Sequence, residues 1–260
     1  MCLIFIAINQ HPDYPLIVAG NRDEFYQRPT EKLAYWKEDP DVLAGRDVIA
    51  GGTWLGVTRS GRLAAVTNYR GPAQVNQKAP SRGLLVRDYL TGRDAPEAFC
   101  RRNAERMDRC NGFNLILGDL ASLYYYSNRG QKAVVRLADG LHGLSNHLLN
   151  TPWPKVERGR HALAPVLGRP GPVNPEDVFA VLGDREHPPD ADLPDTGVGL
   201  VWERRLSSMF IATEGYGTRS SSLILVDRQY RVVFYERTYA PARGGRYEVS
   251  TKTATFQANF

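Results

Sequence analysis

Cysteine is scarce in this chain: Cys2, Cys100 and Cys110 are the only three in 260 residues. The number is odd and no pair stands at CxxC spacing. That argues against a disulfide framework and a zinc knuckle, and for a reducing, cytoplasmic home. Histidine is equally thin, with His11, His142, His147, His161 and His187. None falls at HExxH or another ligand spacing, so no metal site is expected. Long apolar runs are missing. The opening run reaches Asn9 within one strand length and has no basic leader, which reads as neither a signal peptide nor a membrane span. Basic blocks are missing too. The net charge of +5 comes from scattered arginines, and the densest group, Arg101, Arg102, Arg106 and Arg109, is interrupted by Glu105 and Asp108. No nucleic-acid partner is expected from this pattern, whereas an anionic small molecule fits it. Gly51-Gly52 lacks the Lys-Ser/Thr of a P-loop, no dinucleotide fingerprint occurs, and no cofactor is implied. Repeats, heptads and low-complexity linkers are lacking, so residues 1–260 read as one domain.

What is present is a strand-first order. Residues 3–8 and 16–19 are almost continuously apolar, which predicts neighbouring strands covered on both faces, joined through the proline-bounded turn His11-Pro12-Asp13-Tyr14-Pro15. A proline-punctuated loop to about residue 40 follows, with a short strand over 48–50 and two more around the turn Arg59-Ser60-Gly61-Arg62. Ser81 reads as the N-cap of a helix, and residues 95–109 as a second helix with Pro96 in its first turn. Strand pairs are expected at 113–117 with 122–127, and at 133–137 with 140–145. Helices opened by proline are expected at 154–167 and 175–182. Strands over 208–213, 221–226 and 231–236 close the pattern. Such alternation describes a layered α+β protein.

Candidate chemistry centres on Cys2. If Met1 is removed, a thiol and a free α-amine share one carbon. An α-amine of reference pKa ~7.7–8.0 beside a thiol near ~8.5 is the pairing of an N-terminal nucleophile. The competing reading is a small apolar residue starting a buried strand. Asp23 lies just past the second strand, where its carboxylate can accept from an α-ammonium. Arg22 beside it would lower the thiol pKa, or the two would pair with each other on a surface loop. Asn21 and Glu24 would order that loop. Asn68 and Asn146 end predicted strands, where an Asn is either an oxyanion donor or a turn residue. Arg219 precedes a strand and suits a substrate carboxylate or the Cys2 thiolate.

Seven motifs occur in order: Met1-Cys2-Leu3-Ile4, Asn21-Arg22-Asp23-Glu24, Gly52-Thr53-Trp54-Leu55-Gly56, Thr67-Asn68-Tyr69-Arg70, Ser81-Arg82-Gly83, Gly143-Leu144-Ser145-Asn146 and Tyr216-Gly217-Thr218-Arg219-Ser220. This string resembles the NRDE family, also called the transport and Golgi organisation protein 2 family. The resemblance implies a four-layer αββα sandwich of N-terminal nucleophile hydrolase type, close to the branch of penicillin V acylase and bile salt hydrolase. It also implies a catalytic set: Cys2 as nucleophile, Arg22 and Asp23 as helpers, Asn68 and Asn146 as oxyanion or orienting groups, and Arg219 as a later arginine. In those hydrolases the early Arg and Asp are spaced apart; here they are adjacent. Animal members are linked to secretory organisation, lipid metabolism and haem handling. Two functions follow as expectations. One is a Cys-dependent hydrolase of an amide or thioester acyl substrate. The other is a non-catalytic carrier of haem, acyl-CoA or another amphipathic, lipid-like ligand.

Overall fold

The computed structural model describes residues 2–72, 75–242 and 246–259. In chain order its strands are β1 (Cys2–Ile8), β2 (Leu16–Phe25), β3 (Thr30–Tyr35), β4 (Val42–Asp47), β5 (Leu55–Thr58), β6 (Arg62–Asn68), β7 (Phe113–Asp119), β8 (Leu123–Ser127), β9 (Val135–Arg136), β10 (Gly140–Leu144), β11 (Tyr216–Val226), β12 (Arg231–Pro241) and β13 (Tyr247–Gln257). The helices are α1 (Gly83–Thr91), α2 (Pro96–Arg102), α3 (Ala104–Arg109), α4 (Pro154–Leu167), α5 (Pro175–Leu182) and α6 (Leu200–Arg205). Two antiparallel sheets result, ordered β10-β1-β2-β11-β12-β13 and β3-β4-β5-β6-β7-β8-β9.

The continuous apolar character of β1 and β2 has a direct cause. Successive side chains of a strand point to opposite faces, and both faces of this sheet are covered. Ile4, Ile6, Leu16 and Val18 pack toward the second sheet, with Ile224, Val232 and Phe234 from the neighbouring strands. Leu3, Phe5, Ala7, Ile17 and Ala19 face the other way, against Val156 and Leu163 of α4 and Val178, Phe179 and Leu182 of α5. α1 lies on β4, β5, β6 and β7, so helices cover the outer side of each sheet. Each such aliphatic or aromatic side chain contributes about 1.5–3 kcal/mol by leaving water. Close fit matters as much as area: α4 approaches β1 through Gly159, where a Cβ would stand 2.1 Å from Phe5 Cζ.

Most helix ends follow their sequence signals, but Ser81 does not cap α1, whose N-cap position is Arg82 with no side-chain cap. Pro opens α2, α4 and α5, where its missing N–H costs nothing, and Asn174 caps α5 by accepting from Glu176 N at 3.1 Å. α4 and α5 have the predicted bounds. Other expectations are corrected. The span 95–109 is two helices, because Asn103 (φ −99°, ψ 9°) leaves the helical basin and turns its side chain back to Phe99 O at 2.9 Å. Residues 208–213 form no strand; a single bridge, Ala212 to Gly217, replaces it. The expected loop to residue 40 holds β3, and the short strand at 48–50 is a turn after β4. The strand expected over 133–137 shrinks to β9, which pairs with β8, while its supposed partner β10 joins β1 in the other sheet. Most important for function, β2 does not stop at residue 19. It runs to Phe25, because β1 and β11 flank it on both sides and supply hydrogen bonds to its polar half.

Candidate active site

Cys2 is the first residue of β1 and lies directly opposite Arg22 of β2 in the ladder. Both belong to the face turned toward the second sheet, and both line a cleft of about 640 Å³. The sheet pleat decides the rest of the tetrad. Arg22 and Glu24 point into the cleft side, with Arg22 Nη2 3.7 Å from Glu24 Oε2. Asn21 and Asp23 are on the strand positions facing the α4 and α5 layer. The expected surface pairing of Arg22 with Asp23 is therefore replaced: adjacent residues of a strand diverge, and Asp23 is buried.

Asn21 is committed to structure. Its amide donates to Leu182 O at 2.8 Å and to Met209 O at 2.9 Å, and its carbonyl accepts from Ser221 Oγ at 2.6 Å. Asp23 accepts from Thr218 Oγ1 of β11 at 2.7 Å. Burial pushes the Asp23 carboxyl up from its ordinary value, opposed by Lys155, the Thr218 hydroxyl and Arg22. Lys155 is buried on the first turn of α4, donates to Leu206 O at 2.8 Å, and is driven down to about 8 by burial, with Asp23 acting against the drop. Burial also drives the Cys2 thiol up to about 11, outweighing the lowering by Arg22. Arg22 lowers the thiol pKa, as its charge leads one to expect, but burial outweighs it.

Glu24 lines the cleft and is 3.8 Å from Arg28, whose stronger partner is Asp47 at 2.8 Å. Asn68, last residue of β6, lines the same cleft. Asn146 does not. It is fully buried behind Asn68, donating to the Asn68 carbonyl at 3.0 Å, while its own carbonyl accepts from Arg70 N at 2.7 Å. Arg219 occupies the β-bulge between Thr218 and Ser220 and reaches the cleft, but Nη1 bonds Phe25 O and Arg28 O, both at 2.9 Å. Its guanidinium thus ties down the connection from β2 to β3. The structure gathers Cys2, Arg22, Glu24, Asn68 and Arg219 at one cleft, with Asp23 bordering it from the buried side, and leaves Asn146 and Asn21 as its supports.

Four residues received no role of their own in the sequence reading, although Arg82 and Thr218 stand inside its motifs. Arg82 and Glu236 line the cleft; Thr218 bonds Asp23, and the charge of Lys155 acts on it. Lys155 had a signal, since it precedes Gly159 by four and so shares the apolar face of α4. Glu236 had one as well, two residues beyond Phe234 on an alternating strand. It accepts from Leu33 N at 2.6 Å, and burial raises its carboxyl. Among the described residues no group of three or more His, Cys, Asp or Glu is placed to hold a metal.

The motif string and the geometry meet in one family. A model of the transport and Golgi organisation 2 family matches residues 1–241. The chain belongs to that family. The transport and Golgi organization protein 2 homolog of Bos taurus is 37% identical over 282 residues, covering 99% of this chain and all of that protein. The Homo sapiens homolog is 35% identical over 277 residues with the same coverage. Among solved structures, a Caenorhabditis elegans N-acylethanolamine-hydrolyzing acid amidase ortholog superposes with a TM-score of 0.50 at 13% identity, over 86% of this chain and 92% of that one. This family member therefore has the α+β sandwich of N-terminal nucleophile hydrolases. Among its described residues no helix is long and apolar enough to cross a membrane.

Proposed function

We propose that this chain is a Cys-dependent N-terminal nucleophile hydrolase acting on an amide or thioester. The observation that carries the reading is the place of Cys2: first residue of a buried central strand, on the wall of a cleft, opposite an arginine. Amide hydrolysis is also the reaction named for the Caenorhabditis elegans structure that shares the fold.

The chemistry needs a base, because a thiol held near 11 is protonated at neutral pH. Removal of Met1 would supply one in the α-amine of Cys2, with a reference pKa of ~7.7–8.0. In the proposed sequence that amine takes the Sγ proton as sulfur bonds to the carbonyl carbon. Asn68 donates to the developing oxyanion. The proton passes to the leaving nitrogen or sulfur as the old bond breaks, leaving a thioester on Cys2. Water, deprotonated by the same amine, then releases the carboxylic acid and restores the thiol. Asp23, buried and bonded by Thr218, holds the ammonium form of the amine between steps. Arg22 and Arg219 offset negative charge at the cleft.

Intact mass tests this. The purified chain should lack Met1, and incubation with N-acyl amides should give an acyl adduct that disappears in Cys2→Ala. A stable pool retaining Met1, together with no adduct, would sink the hydrolase. The high thiol pKa favours one second reading, a non-catalytic carrier of haem or an acyl-CoA-like ligand. Tight binding of either that survives Cys2→Ala, with no adduct, is its signature.

A further inference from the structure

The cations lining the cleft differ in what they are bonded to. Arg28 is held by Asp47 and Glu24, and Arg22 is near Glu24. Arg46 is paired with Glu38, Lys32 donates to Ser250 Oγ at 2.7 Å, and Arg219 is spent on backbone carbonyls. Arg82 combines partial burial with few partners. Among the described residues it has no ion pair, as Arg219 and Lys32 have none, but Arg219 is bonded to backbone carbonyls and Lys32 is exposed. Its single hydrogen bond, from Nη1 to Gly112 O at 3.1 Å, leaves about four of its five N–H groups available. The first turn of α1, which follows it, contains no acidic residue to answer the charge. Yet the guanidinium is partly withdrawn from water, and burial lowers its pKa. The leading charged group acting on it is the Cys2 sulfur. A desolvated cation without a counter-ion is costly, and an arriving anion removes that cost while using the planar fork of donors.

We propose that Arg82 is the anion-binding residue of this cleft, so that the substrate is an acyl compound bearing a carboxylate or phosphate within reach of the carbonyl that meets Cys2. The inference rests on the hydrolase reading for the carbonyl, but the anion subsite is independent of whether a bond is cut. Apolar residues on the same walls, Trp54, Val66 and Val75, suit the acyl portion.

Calorimetric titration of the Cys2→Ala chain separates binding from turnover. The probes are N-lauroylglycine, N-lauroyl-phosphoethanolamine and N-lauroylglycine methyl ester. One or both anionic probes should bind about ten- to a hundredfold more tightly than the neutral ester, the range for a charge-assisted hydrogen bond. Whichever anion binds more tightly identifies carboxylate or phosphate as the natural group. Arg82→Gln removes the charge and should erase the preference while leaving ester binding within about twofold; Arg82→Lys should keep part of it. Equal binding of ester and acids, no binding by any probe, or an anion preference that persists in Arg82→Gln would overturn the proposal. The two readings fail separately. An adduct on wild-type Cys2 without anion preference removes only the subsite, and anion preference without an adduct removes only the hydrolase.

Discussion

At the scale of the residue, Cys2 is decided by competition between burial and charge. Desolvation raises its pKa and the nearby Arg22 opposes the rise without winning, so the thiol of the chain still carrying Met1 ionises only near 11. Alkylation of that form by iodoacetamide, followed on the Cys2 peptide, should therefore stay slow at pH 7 and reach its midpoint only near pH 11. The urea-unfolded chain, with an ordinary thiol, should have its midpoint near pH ~8.5–9. The sign follows from the direction of the shift: a raised acid pKa means less thiolate at every pH below it. A folded-state profile levelling below pH 8 would show that a base or cation beyond those described governs the sulfur. The other polar residues of the tetrad divide their work by strand parity. Asn21 spends its amide on two carbonyls and a hydroxyl, Asp23 is fixed by Thr218, and only Arg22 and Glu24 are turned to the cleft wall.

At the scale of the element, the approach of α1 to the loop before β5 sets where Arg82 is held. Gly52 makes it possible: a Cβ there would stand 2.4 Å from the Gly83 carbonyl carbon and 2.7 Å from Leu84 N. These are backbone atoms that cannot swing aside. Gly52→Ala should consequently destabilise the fold by about 1–3 kcal/mol, the usual cost of overpacking, and displace the start of α1. Urea unfolding measures the first effect, and loss of the anion preference the second. Gly83 itself donates no side chain to the cleft, but its carbonyl accepts from Thr53 N at 3.2 Å, closing the contact from the other side. The family motif containing Gly52 and the one containing Gly83 are thus two halves of one contact, about thirty residues apart in sequence.

At the scale of the whole molecule, a buried charged cluster joins segments remote in sequence. Arg70, just past β6, is 2.9 Å from Glu203 of α6 and lies over the Trp153 ring at 4.8 Å, at the entrance to α4. Glu203 also accepts from Thr196 N at 2.8 Å and Thr196 Oγ1 at 2.5 Å. Both ion-pair partners are buried, at 7% and 3% exposure of their side chains, so solvent screens neither. Glu203→Ala strands the arginine and should cost about 3–5 kcal/mol, while Arg70→Met with Glu203→Leu should recover most of that loss. Denaturant midpoints of the single and double variants check the difference. A double variant as weak as Glu203→Ala would mean that the hydrogen bonds to Thr196, not the buried charge, dominate.

Much of this was legible along the chain. Apolar runs without alternation announced strands covered on both faces. Proline placed the starts of α4 and α5, and the order of motifs identified the family and its sandwich. Those features are local, or are carried by identity and spacing alone. Side-chain direction was not legible, because it depends on which strands flank β2 and how far they extend. Taken as a loop, residues 21–24 suggest an Arg and Asp facing each other. Taken as a strand paired to β1 and β11, they send Arg22 to the cleft and Asp23 to the helix layer. Nor does sequence reveal that Asn146 serves the backbone of Asn68, or that among the described residues Arg82 lacks a counter-ion while Arg22, Arg28 and Arg46 are near acidic partners. The sequence by itself determined the family, the layers and the cysteine at the head of a central strand. Only the tertiary structure decided which charges face the cleft and which of them remain unanswered, since burial and pairing arise between segments far apart in the chain.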